Sequence, residues 1–234
     1  MTADLPHPLR TLVPMKPLAE AKTRLWDDLP PSERQAAVLM MLQRVVAAAV
    51  SATARGACVV VGGDEVVREV AEASGARWTP DTADGLNPAL WAAIQDACAD
   101  GAEATLFLPG DLPLITDNDV VAVIAGSHGY AATVCVRASS DGGTNALLQP
   151  AATAFEPLLG ERSFEKHCEA AVATGAALVT PDLPRVAFDL DTRADYEWAK
   201  QNVAWFTSSV YDWEAWLRGA RKSPLPAPPT EQER

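Results

Sequence analysis

The sequence predicts an α/β protein with a mostly parallel central sheet flanked by helices on both faces. Short apolar runs, Cys-Val-Val-Val at 58–61 and Thr-Leu-Phe-Leu at 105–108, are continuous rather than alternating, as in strands covered on both sides. Between such runs lie segments whose apolar residues recur at helical spacing. The runs stop at Gly62-Gly63 and at Pro109-Gly110-Asp111, residue types that turn the chain.

Taken in order, residues 9–14 form a first strand that runs into a polar loop over 16–24. Pro30-Pro31-Ser32-Glu33 reads as a helix start, after which Leu39, Leu42, Val46, Ala49 and Val50 keep one apolar face. A strand at 58–61, a helix at 66–73 and a short strand at 76–79 follow. Asp84-Gly85-Leu86-Asn87 forms a turn that opens a helix reaching Ala99. Then come a strand at 105–108, a helix at 117–125, a strand at 131–136, a loop at 139–144 and a strand at 146–149. A helix runs from Ser163 to Thr174, strands lie near Leu178 and over 186–190, and a last domain helix starts at Thr192. Residues 1–200 thus make one domain. An extension at 201–222 gathers Trp205, Trp213 and Trp216 in a helical segment, either a packing brace or an oligomer contact. Residues 223–234, with Pro224, Pro226, Pro228 and Pro229, read as a disordered tail.

The 234 residues carry 19 Lys and Arg against 31 Asp and Glu, a net charge of −12. Such a balance argues against a partner gripped mainly through its phosphate backbone, so no nucleic acid is expected. The apolar run at 36–50 is interrupted by Gln43 and Arg44 well short of a membrane span, and no secretory signal is visible. Cys58, Cys98, Cys135 and Cys168 are scattered in apolar surroundings, as reduced thiols of a cytoplasmic protein would be.

Ligands of an open parallel sheet sit beyond the carboxyl ends of its strands. The loops at such ends hold Lys16, Lys22 and Arg24 after the first strand, Asp111 after the strand at 105–108, and Asp189 with Asp191 before the last helix. Carboxylates of this kind suit a hard divalent cation that shares phosphate oxygens. Each residue also has an ordinary use: Asp111 in a Gly-Asp turn, Asp191 as a helix cap, the three cations as a solvated face. Asp141-Gly142-Gly143-Thr144-Asn145 is either an anion-binding loop or a plain hairpin. Gly160 followed by Ser163 at a helix start is either an anion site or an N-cap. His167, one turn on, either faces that site or is a packed or exposed helix residue. No Walker-type phosphate loop and no G-x-G-x-x-G occurs.

Together these segments resemble the 2-phospho-L-lactate / phosphoenolpyruvate guanylyltransferase family of coenzyme F-420 biosynthesis. The resembling stretches are Val13-Pro14-Met15-Lys16-Pro17 with Ala21-Lys22-Thr23-Arg24-Leu25, then Asp84-Gly85-Leu86-Asn87 with Ala89-Leu90. Leu108-Pro109-Gly110-Asp111-Leu112-Pro113-Leu114, Asp141-Gly142-Gly143-Thr144-Asn145-Ala146-Leu147-Leu148, Ser163-Phe164 with His167, and Asp189-Leu190-Asp191-Thr192 complete the set. They span residues 9–199 in family order, and Gly-Gly-Thr-Asn-Ala-Leu-Leu is the most specific.

The resemblance implies a Rossmann-like nucleotidyltransferase fold and transfer of GMP from GTP to the phosphate of phosphoenolpyruvate or 2-phospho-L-lactate, with release of pyrophosphate. It implies Mg2+ at Asp111, Asp189 and Asp191, and the phosphorylated three-carbon acid at Thr144, Gly160 and Ser163. It further implies catalytic roles for Asp111, Lys16, Lys22 and Arg24, and nucleotide contacts from Pro14, Lys16, Lys22, Gly85, Asn87 and Pro109. The segment Leu158-Leu159-Gly160-Glu161-Arg162 departs from the family pattern where the acid should sit. Two other readings stay open: a related nucleotidyltransferase for 3-phosphoglycerate, a sugar phosphate or molybdopterin, and a non-catalytic nucleotide-binding scaffold. The Trp segment, if exposed, would suit a homodimer contact.

Overall fold

The computed structural model describes residues 8–22, 29–54, 57–81, 83, 85–219 and 224–228. Among them, seven strands form one sheet: β1 (Leu9–Met15), β2 (Cys58–Gly62), β3 (Arg77–Thr79), β4 (Ala104–Phe107), β5 (Ala132–Arg137), β6 (Thr144–Pro150) and β7 (Ala177–Val179). Their order across the sheet is β3-β2-β1-β4-β6-β5-β7. The pairs β1–β2, β1–β4, β2–β3 and β5–β7 are parallel, while β6 runs antiparallel to both neighbours, β4 and β5. The mostly parallel sheet read from the sequence is therefore present. The reversed β6 has a consequence for the ligand edge: Leu147 pairs with Phe107, which brings Thr144 and Asn145 beside the carboxyl end of β4.

Continuous apolar strands need cover on both faces, and alternate residues divide between them. Leu9, Val13, Val60, Leu106, Val134 and Leu148 point to one face, against α1 (Pro31–Ala52), α2 (Glu65–Ala73) and α4 (Asp117–Gly126). Leu12, Val59, Val61, Phe107, Cys135 and Leu147 point to the other, against α3 (Leu86–Ala99) and α5 (Ser163–Ala173). α1 is long and apolar enough to cross a membrane by length and composition, yet 72% of its most apolar window is buried inside the protein.

Two expectations are corrected here. Residues 186–190 do not form a strand: Pro184 opens a short helix, α6 (Pro184–Ala187), and the chain then runs extended into α7 (Arg193–Asn202). Pro184 can start a helical turn but cannot donate to a sheet ladder. The carbonyls of Val186 and Ala187 are taken instead by Asn145 Nδ2, at 3.0 and 3.1 Å. The tryptophans of the extension are not exposed. α8 (Phe206–Arg218) lies along α1 and buries Trp205, Phe206, Val210, Trp213 and Trp216, which removes the argument for a dimer built on them.

The polar interruptions of α1 serve this packing. The Arg44 guanidinium stacks 4.4 Å from the Trp205 ring centre, and Gln43 Nε2 donates to Pro226 O at 2.8 Å. Residues 224–228 of the tail expected to be disordered thus lie against the helical layer, and Leu225 packs on the core. The rest of that tail, including Pro229, lies outside the described residues.

Candidate active site

β1 ends at Met15 and is followed by Lys16, which is exposed. The chain then turns, with the N–H groups of Glu20 and Ala21 donating to Pro17 O (2.8 and 3.1 Å) and Leu18 N–H donating to Asp64 Oδ2 (2.8 Å). Buried Leu18 and Ala21 anchor the turn. Lys22 sits at its end with φ 56°, a conformation that a non-glycine residue holds only where its surroundings over-determine it. Its ammonium points inward to Asp111 Oδ2 (2.6 Å) and Asp191 Oδ1. Arg24, the third cation of the loop, lies outside the described residues.

Asp111 follows β4 in the turn Pro109-Gly110-Asp111. Gly110 lies against the Met15 side chain: a Cβ there would meet the Met15 sulfur, which a shift of that flexible side chain can relieve. Leu190 N–H donates to Asp111 O (3.2 Å), lacing the extended segment 188–191 to this turn. Asp191 is not the cap of α7. Thr192 and Asp195 form that capping box, and the Asp191 carboxylate goes to Lys22. Asp189, 7% exposed, receives Ser140 Oγ at 3.4 Å. The three expected carboxylates are therefore together, with one lysine among them.

Electrostatics follow from burial and crowding. Burial pushes the Asp189 carboxyl up to about 7, with the charges of Asp191 and Asp111 adding to it. Burial alone would lower the Lys22 pKa, but the Asp111 and Asp191 carboxylates outweigh it and hold the ammonium charged. Asp111 Oδ1 is buried and accepts no hydrogen bond. One ammonium paired with Asp111 and Asp191, with Asp189 close to both carboxylates, leaves negative potential uncompensated, and oxygen donors of this kind suit a hard divalent cation. Among the described residues, no group of three His, Cys, Asp or Glu side chains is disposed to hold a metal as it stands. Asp111 and Asp191 are both engaged by the Lys22 ammonium, which a cation held there would have to replace.

Beside this cluster lies a second, neutral one. Thr144, Ser163 and His167 are all buried. Ser163 Oγ donates to Thr144 Oγ1 (3.2 Å), His167 Nδ1 lies 2.8 Å from the same oxygen, and His167 Nε2 accepts Leu158 N–H at 2.8 Å. Because Nε2 accepts, the ring proton sits on Nδ1 and donates to Thr144. Burial first, and then Lys166, hold the His167 pKa down to about 4, so the ring is neutral. Gly160 closes the group: its carbonyl accepts Ser163 N–H (3.1 Å), and its φ of 121° favours glycine. The three residues expected to hold the acid thus share one buried hydrogen-bonded cluster. His167 joins them as a member that the sequence left undecided. Its spacing of four from Ser163, one face of one helix, is what raised that reading from the sequence.

Pro14 and Pro109 lie at the ends of β1 and β4, at the edge where the carboxylates gather. Gly85 caps α3 with φ 108°. Asn87 pairs its side-chain amide with the Leu159 backbone, next to Gly160. A cavity of about 270 Å3 runs along β1, β2 and β3 under α3, from Pro80, Asp81 and Ala83 past Ala89 and Ala93.

Comparison with known proteins identifies the family. The family described as guanylyl transferase CofC like matches residues 9–198. The phosphoenolpyruvate guanylyltransferase of Roseiflexus castenholzii is 36% identical over 193 residues, 82% of this chain and 88% of that protein. The 2-phospho-L-lactate guanylyltransferase of Methanothermobacter thermautotrophicus is 32% identical over 186 residues, 79% of this chain and 80% of that one. Among solved structures, a putative nucleotide-diphospho-sugar transferase from Desulfovibrio desulfuricans superposes with a TM-score of 0.65 at 16% identity, covering 91% of this chain and 95% of its own. A nucleotidyl transferase from Methanothermobacter gives 0.58 at 16% identity, covering 86% and 98%. The sheet is thus the Rossmann-like sheet of nucleotidyltransferases, and the chain belongs to the guanylyl transferase CofC-like family.

Proposed function

We propose that the protein moves GMP from GTP to the phosphate of phosphoenolpyruvate or 2-phospho-L-lactate, giving a guanylyl diphosphate ester and pyrophosphate, a step of coenzyme F-420 assembly. The observation that carries this reading is the adjacency of two unlike clusters at one sheet edge. One is the charged group of Lys22 with Asp111 and Asp191, next to Asp189, and the other is the neutral cluster of Thr144, Gly160 and Ser163.

An acceptor phosphate oxygen attacks the α-phosphorus of GTP in line, and the bond from that phosphorus to the bridging oxygen of the β-phosphate breaks. Pyrophosphate leaves with the electron pair. The acceptor phosphate is already ionised near neutral pH, so no protein base is required. The difficulty is charge, because two polyanions must meet inside an acidic protein. A divalent cation such as Mg2+, held by Asp111, Asp189 and Asp191, would supply neutralisation between them. Lys16, Lys22 and Arg24 stabilise the triphosphate, with Lys22 leaving its carboxylates for phosphate oxygens. Pro14, Gly85 and Pro109 offer backbone along the nucleotide, and the cavity under α3 takes the guanosine. Thr144, Ser163 and the backbone at Gly160 hold the acid. The acidic charge disfavours a nucleic-acid partner, and four unpaired cysteines suit a cytoplasmic enzyme.

Pyrophosphate release is measured with GTP, Mg2+ and each of phosphoenolpyruvate, 2-phospho-L-lactate and 3-phosphoglycerate, with ATP as the nucleotide control. Release with GTP and one acid is expected. Silence with every acid would sink the acceptor assignment, and equal release with ATP would sink the guanine assignment.

A further inference from the structure

The first turn of α3 and the loop before Gly160 are joined at two points by one side chain. Asn87 Nδ2 donates to Leu159 O (3.1 Å), and Asn87 Oδ1 accepts Leu159 N–H (2.9 Å). The preceding residue, Leu158, gives its N–H to His167, which in turn donates to Thr144. Residues 154–159 have no regular secondary structure. The loop is held by Asn87 on one side and His167 on the other, and Gly160 follows at once. The helix that carries Asn87 also lines the cavity along β1–β3, through Ala89, Ala92, Ala93 and Asp96. A ligand in that cavity lies against the element that fixes Asn87.

We propose that Asn87 is a positioning residue that couples the two substrate sites: nucleotide bound along α3 orders the loop at 158–160, and with it the acceptor pocket. The inference rests on the nucleotide and acceptor sides assigned above. Two neutral hydrogen bonds are each nearly balanced by bonds to water, so the unliganded loop can leave Asn87 readily. A nucleotide that stiffens the first turn of α3 removes part of the ordering entropy that the acid would otherwise meet. Binding is then cooperative, and the coupling is reciprocal: the acid tightens GTP by the factor by which GTP tightens the acid.

The test is amide hydrogen exchange across 155–160, with and without GTP, beside the acceptor KM at low and saturating GTP. Both are measured on the full chain and on Asn87→Ala and Asn87→Asp. The aspartate keeps the bond from Leu159 N–H but sets a carboxylate against Leu159 O, so it should behave like the alanine. In the unchanged protein, GTP is expected to slow exchange at Leu158 and Leu159 and to lower the acceptor KM by about fivefold or more. In both variants exchange stays fast, the acceptor KM is high at every GTP level, and the GTP dissociation constant measured alone stays within about twofold. Unaltered exchange in β1 and β4 reports an intact fold, and if the alanine variant does not fold the aspartate variant decides. A raised GTP dissociation constant with an unchanged acceptor KM would make Asn87 a direct nucleotide contact and overturn the proposal. So would GTP protection that persists in the variants or is missing in the unchanged protein. If no acid is turned over but GTP protection of 158–159 is still lost in the variants, the acceptor reading fails and the Asn87 link stands.

Discussion

Lys22 Nζ lies 2.6 Å from Asp111 Oδ2 and is shared with Asp191, so one ammonium ties the turn after β4 to the segment that leads into α7. Asp189 completes the group, its carboxyl pushed up to about 7 by burial and by its two neighbours. The cluster has more negative charge than the lysine can neutralise, an arrangement that gains little as a structural ion pair but suits a transient cation.

Replacing Asp111 with Asn tests this directly. The variant keeps the shape of the turn and the Leu190 N–H bond to the Asp111 backbone, so the fold should be retained. Transfer should fall by about a hundredfold or more, the usual cost of losing one group that stabilises charge at the reacting centre. Pyrophosphate release and a thermal melt separate the two effects. Turnover near that of the unchanged protein would remove Asp111 from the reaction centre.

A second expectation concerns acid. The His167 pKa is depressed from 6.5 to about 4, so between those values the unfolded chain binds a proton that the folded chain refuses. The stability tied to neutral His167 is fully present above about pH 6.5 and is lost as pH falls to about 4, at about 1.4 kcal/mol per unit, or about 3 kcal/mol in all. Asp189 acts with the opposite sign, because its raised pKa makes the folded state the better proton acceptor between its ordinary range and about 7. The two partly cancel, and the histidine contribution appears only as a difference. Denaturant melts of the protein and of His167→Gln, at steps from pH 7.5 to pH 4, should show the stability gap between them changing by about that amount. A gap that does not vary with pH would mean that His167 is not held neutral.

Much of this was legible in the sequence. The apolar strands, the helices between them and the turn with Asp111 after β4 follow from patterning local to each segment. What was not legible depends on partners far along the chain. The reversal of β6 is set by its pairing with β4 and β5, and Val-Ala-Phe-Asp-Leu at 186–190 has strand composition but a neighbouring Asn145 amide that takes its carbonyls. The contacts that Lys22 and Asn87 make within the chain were not foreseen. Their observed partners, Asp111 and Leu159, lie 89 and 72 residues away. Polar side chains find such partners only once the fold exists.

The extension beyond the family match gives a prediction about stability alone. Trp213 is 1% exposed, packs edge-on against Trp216 at 5.3 Å between ring centres, and belongs to the helix that covers α1. Trp213→Ala should cost about 3–5 kcal/mol by urea melts, the range for emptying a large aromatic site. The KM values for GTP and acid should stay as they are, because among the described residues α8 packs on α1 and α7. A shift in either KM would give the extension a part in the site.

Thr144→Val is the sharpest probe of the neutral pocket. Valine matches threonine in shape but cannot accept the His167 Nδ1 proton or the Ser163 hydroxyl, and both donors are buried. A buried donor left without a partner costs about 1–3 kcal/mol, so the variant should lose stability as well as acceptor affinity. Ser163→Ala removes a donor whose acceptor keeps His167, and should leave stability nearly unchanged while raising the acceptor KM. Thr144→Ser restores the oxygen and should recover both properties. If Thr144→Val and Ser163→Ala proved equally stable, the bond from His167 to Thr144 would not be what holds the loop at 158–160 in place.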